Sequence, residues 1–225
     1  MCNYVEQEAS HFIPSTTFYP SPLSLNALSW LAVAAAGSTL IATGVDVTDG
    51  RLDFREYYMN VTFAVRKRAN CKGYKVGAVL VADNRIISTG YNGVPEGMTN
   101  CLDGGCDRCN QPERFQSGMG YDVCICVHAE ENALLSAARF GIRVGNSEMY
   151  TTVRPCFSCM KEMHQAGIMA VYFHREWIHP DPGLQSQYRA LENRFPGGVK
   201  RVDIADPDDP DWVYPKKPAP LAKSP

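Results

Sequence analysis

His128, Glu130, Cys156 and Cys159 have the residue types and spacing for chemistry at a metal ion. They lie in His128-Ala129-Glu130 and in Pro155-Cys156-Phe157-Ser158-Cys159, which together read H-x-E…P-C-x-x-C. One imidazole and two thiolates supply three ligands to a tetrahedral zinc and leave the fourth position to water. Zinc in such a site draws the pKa of that water from ~16 towards neutrality. Glu130 is then free to accept and donate protons instead of binding metal. The competing reading is a closed structural site with a further cysteine as fourth ligand. Such a site has no use for a glutamate at this offset, or for a proline directly before the first cysteine, so the pattern favours catalysis.

The elements that must position these residues follow from periodicity. Apolar residues recur at helical spacing over 54–65, at the start of a domain placed at 51–205. Segments 75–81 and 85–90 read as strands joined by a hairpin turn at Asp83-Asn84. A cysteine- and glycine-rich loop over 92–126 is too long for a plain connection and is expected to be functional or metal-stapled. His128 opens a helix that Gly141 stops, strand 149–153 follows, and Pro155 is expected in the first turn of a helix ending near Gly167. Strand 170–173, a helix near 185–195 and strand 199–204 complete an alternation that implies an α/β sheet with helices on both faces. His128 and Cys156 thus fall at two helix N-termini, where the dipoles favour thiolate over thiol.

The 225 residues are 45% hydrophobic and 20% charged, enough for one substantial core plus extensions. A formal net charge of −2 and the lack of an aromatic-basic stripe argue against a nucleic-acid partner. Residues 1–50 contain no Lys or Arg, which argues against a secretory signal and excludes an Arg-rich transit peptide. The uncharged stretch 23–45 is long enough to span a bilayer. Its Asn, Ser, Thr and Gly residues favour instead an extra helix packed on the protein or on a partner subunit. The proline-rich segment 206–225 reads as an irregular tail.

Nine cysteines grouped beside a histidine favour metal binding over disulfides, and reduced thiols point to the cytoplasm. Cys106-Asp107-Arg108-Cys109 has the form of a zinc knuckle, and Cys126 lies two residues from His128. Buried thiols acting as small apolar side chains are the alternative for these cysteines.

The pattern H-x-E…P-C-x-x-C is that of zinc-dependent nucleobase deaminases. In that chemistry water attacks C4 of cytosine, and Glu130 would take its proton, hand it to N3 and later protonate the departing amine. Gly90-Tyr91-Asn92-Gly93-Val94-Pro95-Glu96-Gly97, Val76-Gly77-Ala78-Val79, the run 128–135 and Met149-Tyr150-Thr151-Thr152 narrow the likeness. Over about 54–173 the chain resembles deoxycytidylate (dCMP) deaminases. The resemblance implies a three-layer α-β-α fold with a mixed five-stranded sheet, and hydrolysis of dCMP to dUMP and ammonia. It also implies a homo-oligomer, often a hexamer, with dCTP and dTTP as effectors. By the same resemblance Asn92 is the best candidate for a nucleotide contact, and the alternative is that Asn92-Gly93 is only a turn. A 5′-phosphate needs a cation: Lys75, Arg114, Arg139, Arg154 and Arg175 are available, with Arg154 favoured beside the metal turn. Some members carry a second, structural zinc, and Cys71, Cys101, Cys106 or Cys109, and Cys126 sit at the matching places. Deamination of another cytosine compound, or a catalytically silent zinc-binding subunit, would keep the metal site and change the function; the intact Glu130 argues against the silent reading.

Overall fold

The structure is a computed structural model that describes residues 50–115, 119–179 and 181–216. The apolar stretch 23–45 and the end of the proline-rich tail lie outside the described residues, and among those described no helix is long and apolar enough to cross a membrane.

The chain order is α1 (Phe54–Arg66), β1 (Gly77–Ala82), β2 (Arg85–Tyr91), α2 (Asp107–Asn110), α3 (Ala129–Arg139), β3 (Glu148–Val153), α4 (Phe157–Gln165), β4 (Ala170–Arg175), α5 (Pro182–Glu192), β5 (Gly198–Arg201) and α6 (Pro210–Val213), with a 3-10 turn at Cys101–Asp103 before α2. The sheet runs β2-β1-β3-β4-β5. β1 pairs antiparallel with β2 and β3, while β4 is parallel to β3 and β5. The five-stranded mixed sheet between helices is thus present.

Strand alternation sorts the core into two layers. Ala78, Leu80, Met149 and Val171 face the side carrying α3 and α4, where Ala133, Ala137, Met160 and Met163 meet them. Val79, Val81, Tyr150 and Tyr172 face α1 and pack on Tyr58, Met59 and Phe63. Both Asp83 and Asn84 take positive φ, at 48° and 56°, which closes the β1–β2 hairpin with the residue types that tolerate it. Asp53 caps α1 by accepting the amides of Arg55 and Glu56 at 2.7 and 2.9 Å.

One expectation is corrected. Pro155 is not in the first turn of α4: Cys156 is the N-cap and the helix begins at Phe157. The proline instead holds the extended entry that turns the chain from β3 into the cap. The described part of the segment beyond 205, residues 206–216, is held on the domain. Arg66 is fully buried on α1 and binds Asp208 through Nε and Nη2 at 3.0 and 2.8 Å, Asp206 through Nη1 and Nη2, and the Tyr214 hydroxyl through Nη1 at 3.3 Å. A buried guanidinium needs such partners, and carboxylates beyond β5 supply them where sequence composition alone suggested only prolines. The same latch brings α6 and Tyr214 back over the strand ends, with the Lys75 amide donating to the Val213 carbonyl at 2.9 Å.

Candidate active site and a thiolate cluster

His128 and Cys156 are both helix N-caps with extended backbone, heading α3 and α4 where these helices pack side by side. Glu131 accepts the His128 amide at 2.9 Å and sets the entry of α3. One turn into α4, Cys159 points back beside its own cap. The result is a triangle: His128 Nδ1 lies 3.4 Å from each sulfur, and the two sulfurs are 3.5 Å apart. A tetrahedral zinc with bonds of about 2.0–2.3 Å separates its ligand atoms by about 3.5–3.8 Å, so the donors fit that ion. The close Cys159 sulfur holds the Cys156 thiol down at about 4 against the effect of burial, with help from His128. Burial pulls the His128 imidazole down, but negative charge at Cys156, Glu130 and Glu131 outweighs it and lifts it to about 9.

Glu130 lies in the first turn of α3 and is only 4% exposed. The Thr151 hydroxyl on β3 donates to its Oε1 at 3.3 Å. Burial pushes this carboxyl up to about 7, with the nearby imidazole pulling against it. A carboxyl whose proton affinity sits near neutrality can both take and return a proton. Gly90 on β2 makes this placement possible, since an added Cβ there would overlap the Ala129 carbonyl and the Ala133 amide. In the sequence Gly90 was only part of a loop motif; its role is close helix–strand approach.

Glu130, His128 and Cys156 line one wall of a cavity of about 680 Å³. Asn92 also lines it, but its amide staples the chain: Oδ1 accepts the Val76 amide at 2.8 Å and Nδ2 donates to the Tyr74 carbonyl at 2.7 Å. Arg154 borders the cavity with its guanidinium already engaged. Nε and Nη2 bond Glu192 at 2.8 and 2.5 Å, and Nη1 bonds Glu176 and the Trp177 carbonyl. That geometry ties β3 to α5 and does not favour Arg154 as a phosphate ligand. Lys75, Arg114 and Arg139 do not line the cavity, whereas Arg175 does, exposed and lying 3.9 Å over the Tyr214 ring. Thr151, Tyr121, Arg108 and Tyr214 were not singled out from the sequence. Thr151 was accessible through the two-residue period of β3, and Tyr214 was not, because the Arg66 latch is what brings it there.

Of the remaining cysteine candidates, Cys71, Cys101, Cys109 and Cys126 bring their sulfurs within 4.8 Å of one another. Cys106 instead joins Cys109, Cys126 and Cys124, the last outside the expected ligand set. All eight described cysteines are free. Between the knuckle cysteines, Arg108 donates through Nε and Nη2 to the Met119 carbonyl at 3.0 and 2.8 Å and lies over Tyr121. Tyr121 in turn meets His128 edge-on, so the cluster and the cavity wall are one structure.

Residues 52–175 match the family model described as the cytidine and deoxycytidylate deaminase zinc-binding region. The chain belongs to this family. It is 45% identical over 128 residues to a deoxycytidylate deaminase of Schizosaccharomyces pombe and 40% identical over 128 residues to one of Saccharomyces cerevisiae, in each case over 56% of the chain. It spans only 38% and 39% of those two relatives' lengths. It is also 36% identical over 134 residues to the deoxycytidylate deaminase of Mycobacterium phage D29, covering 56% of this chain and 98% of that protein. A solved structure of dCMP deaminase from the cyanophage S-TIM5, in complex with dCMP and dUMP, superposes with a TM-score of 0.52 at 28% identity. That match covers 68% of this chain and 98% of the other. As a member of a zinc-binding deaminase family, the chain has in His128, Cys156 and Cys159 a donor set that fits zinc.

Proposed function

We propose that the chain hydrolyses dCMP to dUMP and ammonia. The observation that carries this reading is the buried Glu130 carboxyl lining the same cavity as His128 and Cys156 of the donor triangle. The deoxycytidylate deaminases among its relatives, and the dCMP and dUMP bound in the cyanophage enzyme, support the choice of substrate. His128, Cys156 and Cys159 would hold zinc, which supplies Lewis acidity for activating water at neutral pH. Glu130 moves the protons: its carboxylate accepts one from the attacking water and delivers it to N3 of the ring as the C4–O bond forms. It then takes the remaining proton of that oxygen and gives it to the exocyclic amine, so that C4=O is left, the C4–N bond breaks and ammonia leaves. Thr151 orients Glu130 Oε1 for these transfers, and Asn92 holds residues 74–76 in the cavity wall beside the nucleotide. Arg175 takes the 5′-phosphate in this reading, because Arg154 is engaged by Glu192 and Glu176.

The cysteine cluster beside the cavity binds structural zinc and orders the loop carrying Arg108 and Tyr121, offsetting its conformational entropy. Its free thiols suit a reducing compartment, and we place the protein in the cytoplasm. By the same likeness it assembles as a homo-oligomer, with dCTP and dTTP acting as effectors.

The test is dUMP and ammonia formation by the zinc-loaded protein from dCMP, run beside CMP, dCTP, deoxycytidine and single-stranded DNA. Preferential turnover of dCMP is expected. Faster turnover of another cytosine compound would reassign the substrate, and no turnover with zinc present would remove the catalytic reading. Repeating the dCMP assay with added dCTP and dTTP, after measuring the molar mass in solution, checks effectors and assembly.

A further inference from the structure

We infer that the six cysteines outside the catalytic triangle bind two zinc ions, not one, in a single cluster bridged by the thiolates of Cys109 and Cys126. This rests on the reading that the cluster binds structural metal at all. The decisive feature is the overlap of two four-cysteine groups. Cys71, Cys101, Cys109 and Cys126 form one, Cys106, Cys109, Cys124 and Cys126 form the other, and within each group all sulfurs lie within 4.8 Å. Only Cys109 and Cys126 belong to both.

A tetrahedral ion with metal–sulfur bonds of about 2.3 Å spaces its ligand sulfurs about 3.8 Å apart. Cys71 and Cys109 stand 3.8 Å apart in the first group, and Cys106 and Cys124 stand 3.8 Å apart in the second. Each ion therefore has two thiolates of its own, Cys71 with Cys101 or Cys106 with Cys124, and two that it shares. A single tetrahedral ion uses four of the six and leaves two cysteines with no role.

Packing does not supply that role. The buried residues at the centre of this region are Cys71, Cys101, Cys106 and Cys126, and Val94 and Ile125 are the partly buried aliphatic residues packed against them. Regular structure here is one 3-10 turn and the four-residue α2. Ordering a backbone costs conformational entropy at every residue, which so few apolar contacts do not offset. Backbone geometry also suits thiolates: the amides of Lys72 and Gly73 donate to the sulfurs of Cys101 and Cys71, each at 3.3 Å.

Elemental analysis of the full chain, purified under reducing conditions and dialysed free of loose metal, decides the matter. Three zinc ions per chain are expected, one in the catalytic triangle and two in the cluster. Two per chain would overturn the bridged pair while leaving a single structural ion, and one per chain would remove the structural metal as well. Cys101→Ser and Cys124→Ser probe the two halves separately. In a bridged pair each variant lowers the count, whereas in a single-ion site one of the two leaves it unchanged. Should either variant fail to fold, the wild-type protein exchanged with cadmium-113 gives an independent readout. Three resonances are expected, two of them coupled to each other through the shared sulfurs, and a single uncoupled cluster resonance overturns the proposal.

Discussion

At the residue scale, the site separates the donors proposed to hold metal from the carboxyl proposed to transfer protons. His128, Cys156 and Cys159 surround one point, while Glu130 stands beside them, buried and bonded to Thr151 instead of to the triangle. Replacing the carboxyl with an amide keeps the shape and removes the proton carrier. Glu130→Gln is therefore expected to retain zinc, measured by elemental analysis, and to lose about 10²–10⁴ in kcat. Activity near wild type would refute the assignment. The cations divide in the same way. Arg175→Ala is expected to raise KM for dCMP about tenfold or more, the worth of a charged hydrogen bond. Arg154→Ala strips the partly buried Glu192 and the exposed Glu176 of their partner and is expected to lower stability by about 2 kcal/mol with KM unchanged. A reversal of the two KM values would return the phosphate to Arg154.

At the element scale, the catalytic geometry depends on how closely α3 rests on β2. Both α3 and α4 deliver a proposed ligand from the N-cap position, so a shift of either helix moves that donor directly. Gly90 sets that distance for α3. Gly90→Ala places a methyl group against the Ala129 carbonyl, one residue from both His128 and Glu130. It is expected to cost about 1–3 kcal/mol in stability, as overpacking does, and to depress kcat more than KM. Thermal unfolding combined with steady-state kinetics checks this; unchanged kcat in a destabilised protein would show that the site tolerates the displacement. Gly77 plays a similar part under α1, where an added Cβ would meet the Thr62 carbonyl and the Arg66 amide.

At the scale of the whole molecule, the Arg66 latch closes the domain by joining α1 to the segment beyond β5 and carrying Tyr214 to the cavity rim. Burial raises the proton affinity of Asp206, but hydrogen bonds from Arg66 and the Asp208 amide, with the charge of Arg66, outweigh it and hold the carboxyl below its ordinary value. A depressed carboxylate contributes fully above its unfolded pKa of about 3.9, and that stability is lost as pH falls through the lower folded value. Urea-unfolding midpoints measured from pH 6 down to pH 3 are expected to fall more steeply for the wild type than for Asp206→Asn. Parallel curves would show that the pair is not linked to folding.

The convergence of His128, Cys156 and Cys159 beside Glu130 was legible because chain-local rules determine it. Cys156 and Cys159 are one helical turn apart, Glu130 follows His128 by two residues, and capping places both segments at helix starts. The strand and helix alternation was legible for the same reason, since a period of two or 3.6 residues records which side of each element is buried. Even the hairpin turn could be read from Asp83-Asn84, whose residue types tolerate positive φ. Contacts between distant segments were different. The engagement of Arg154 by Glu192, the sharing of Cys109 and Cys126 between two groups, and the capture of the chain beyond 205 by Arg66 join residues 17 to 148 positions apart. No local pattern encodes such pairings, because they depend on which surfaces the packed sheet brings together. The residue types determined the chemistry this protein can support, and tertiary packing decided which cations, cysteines and walls surround it.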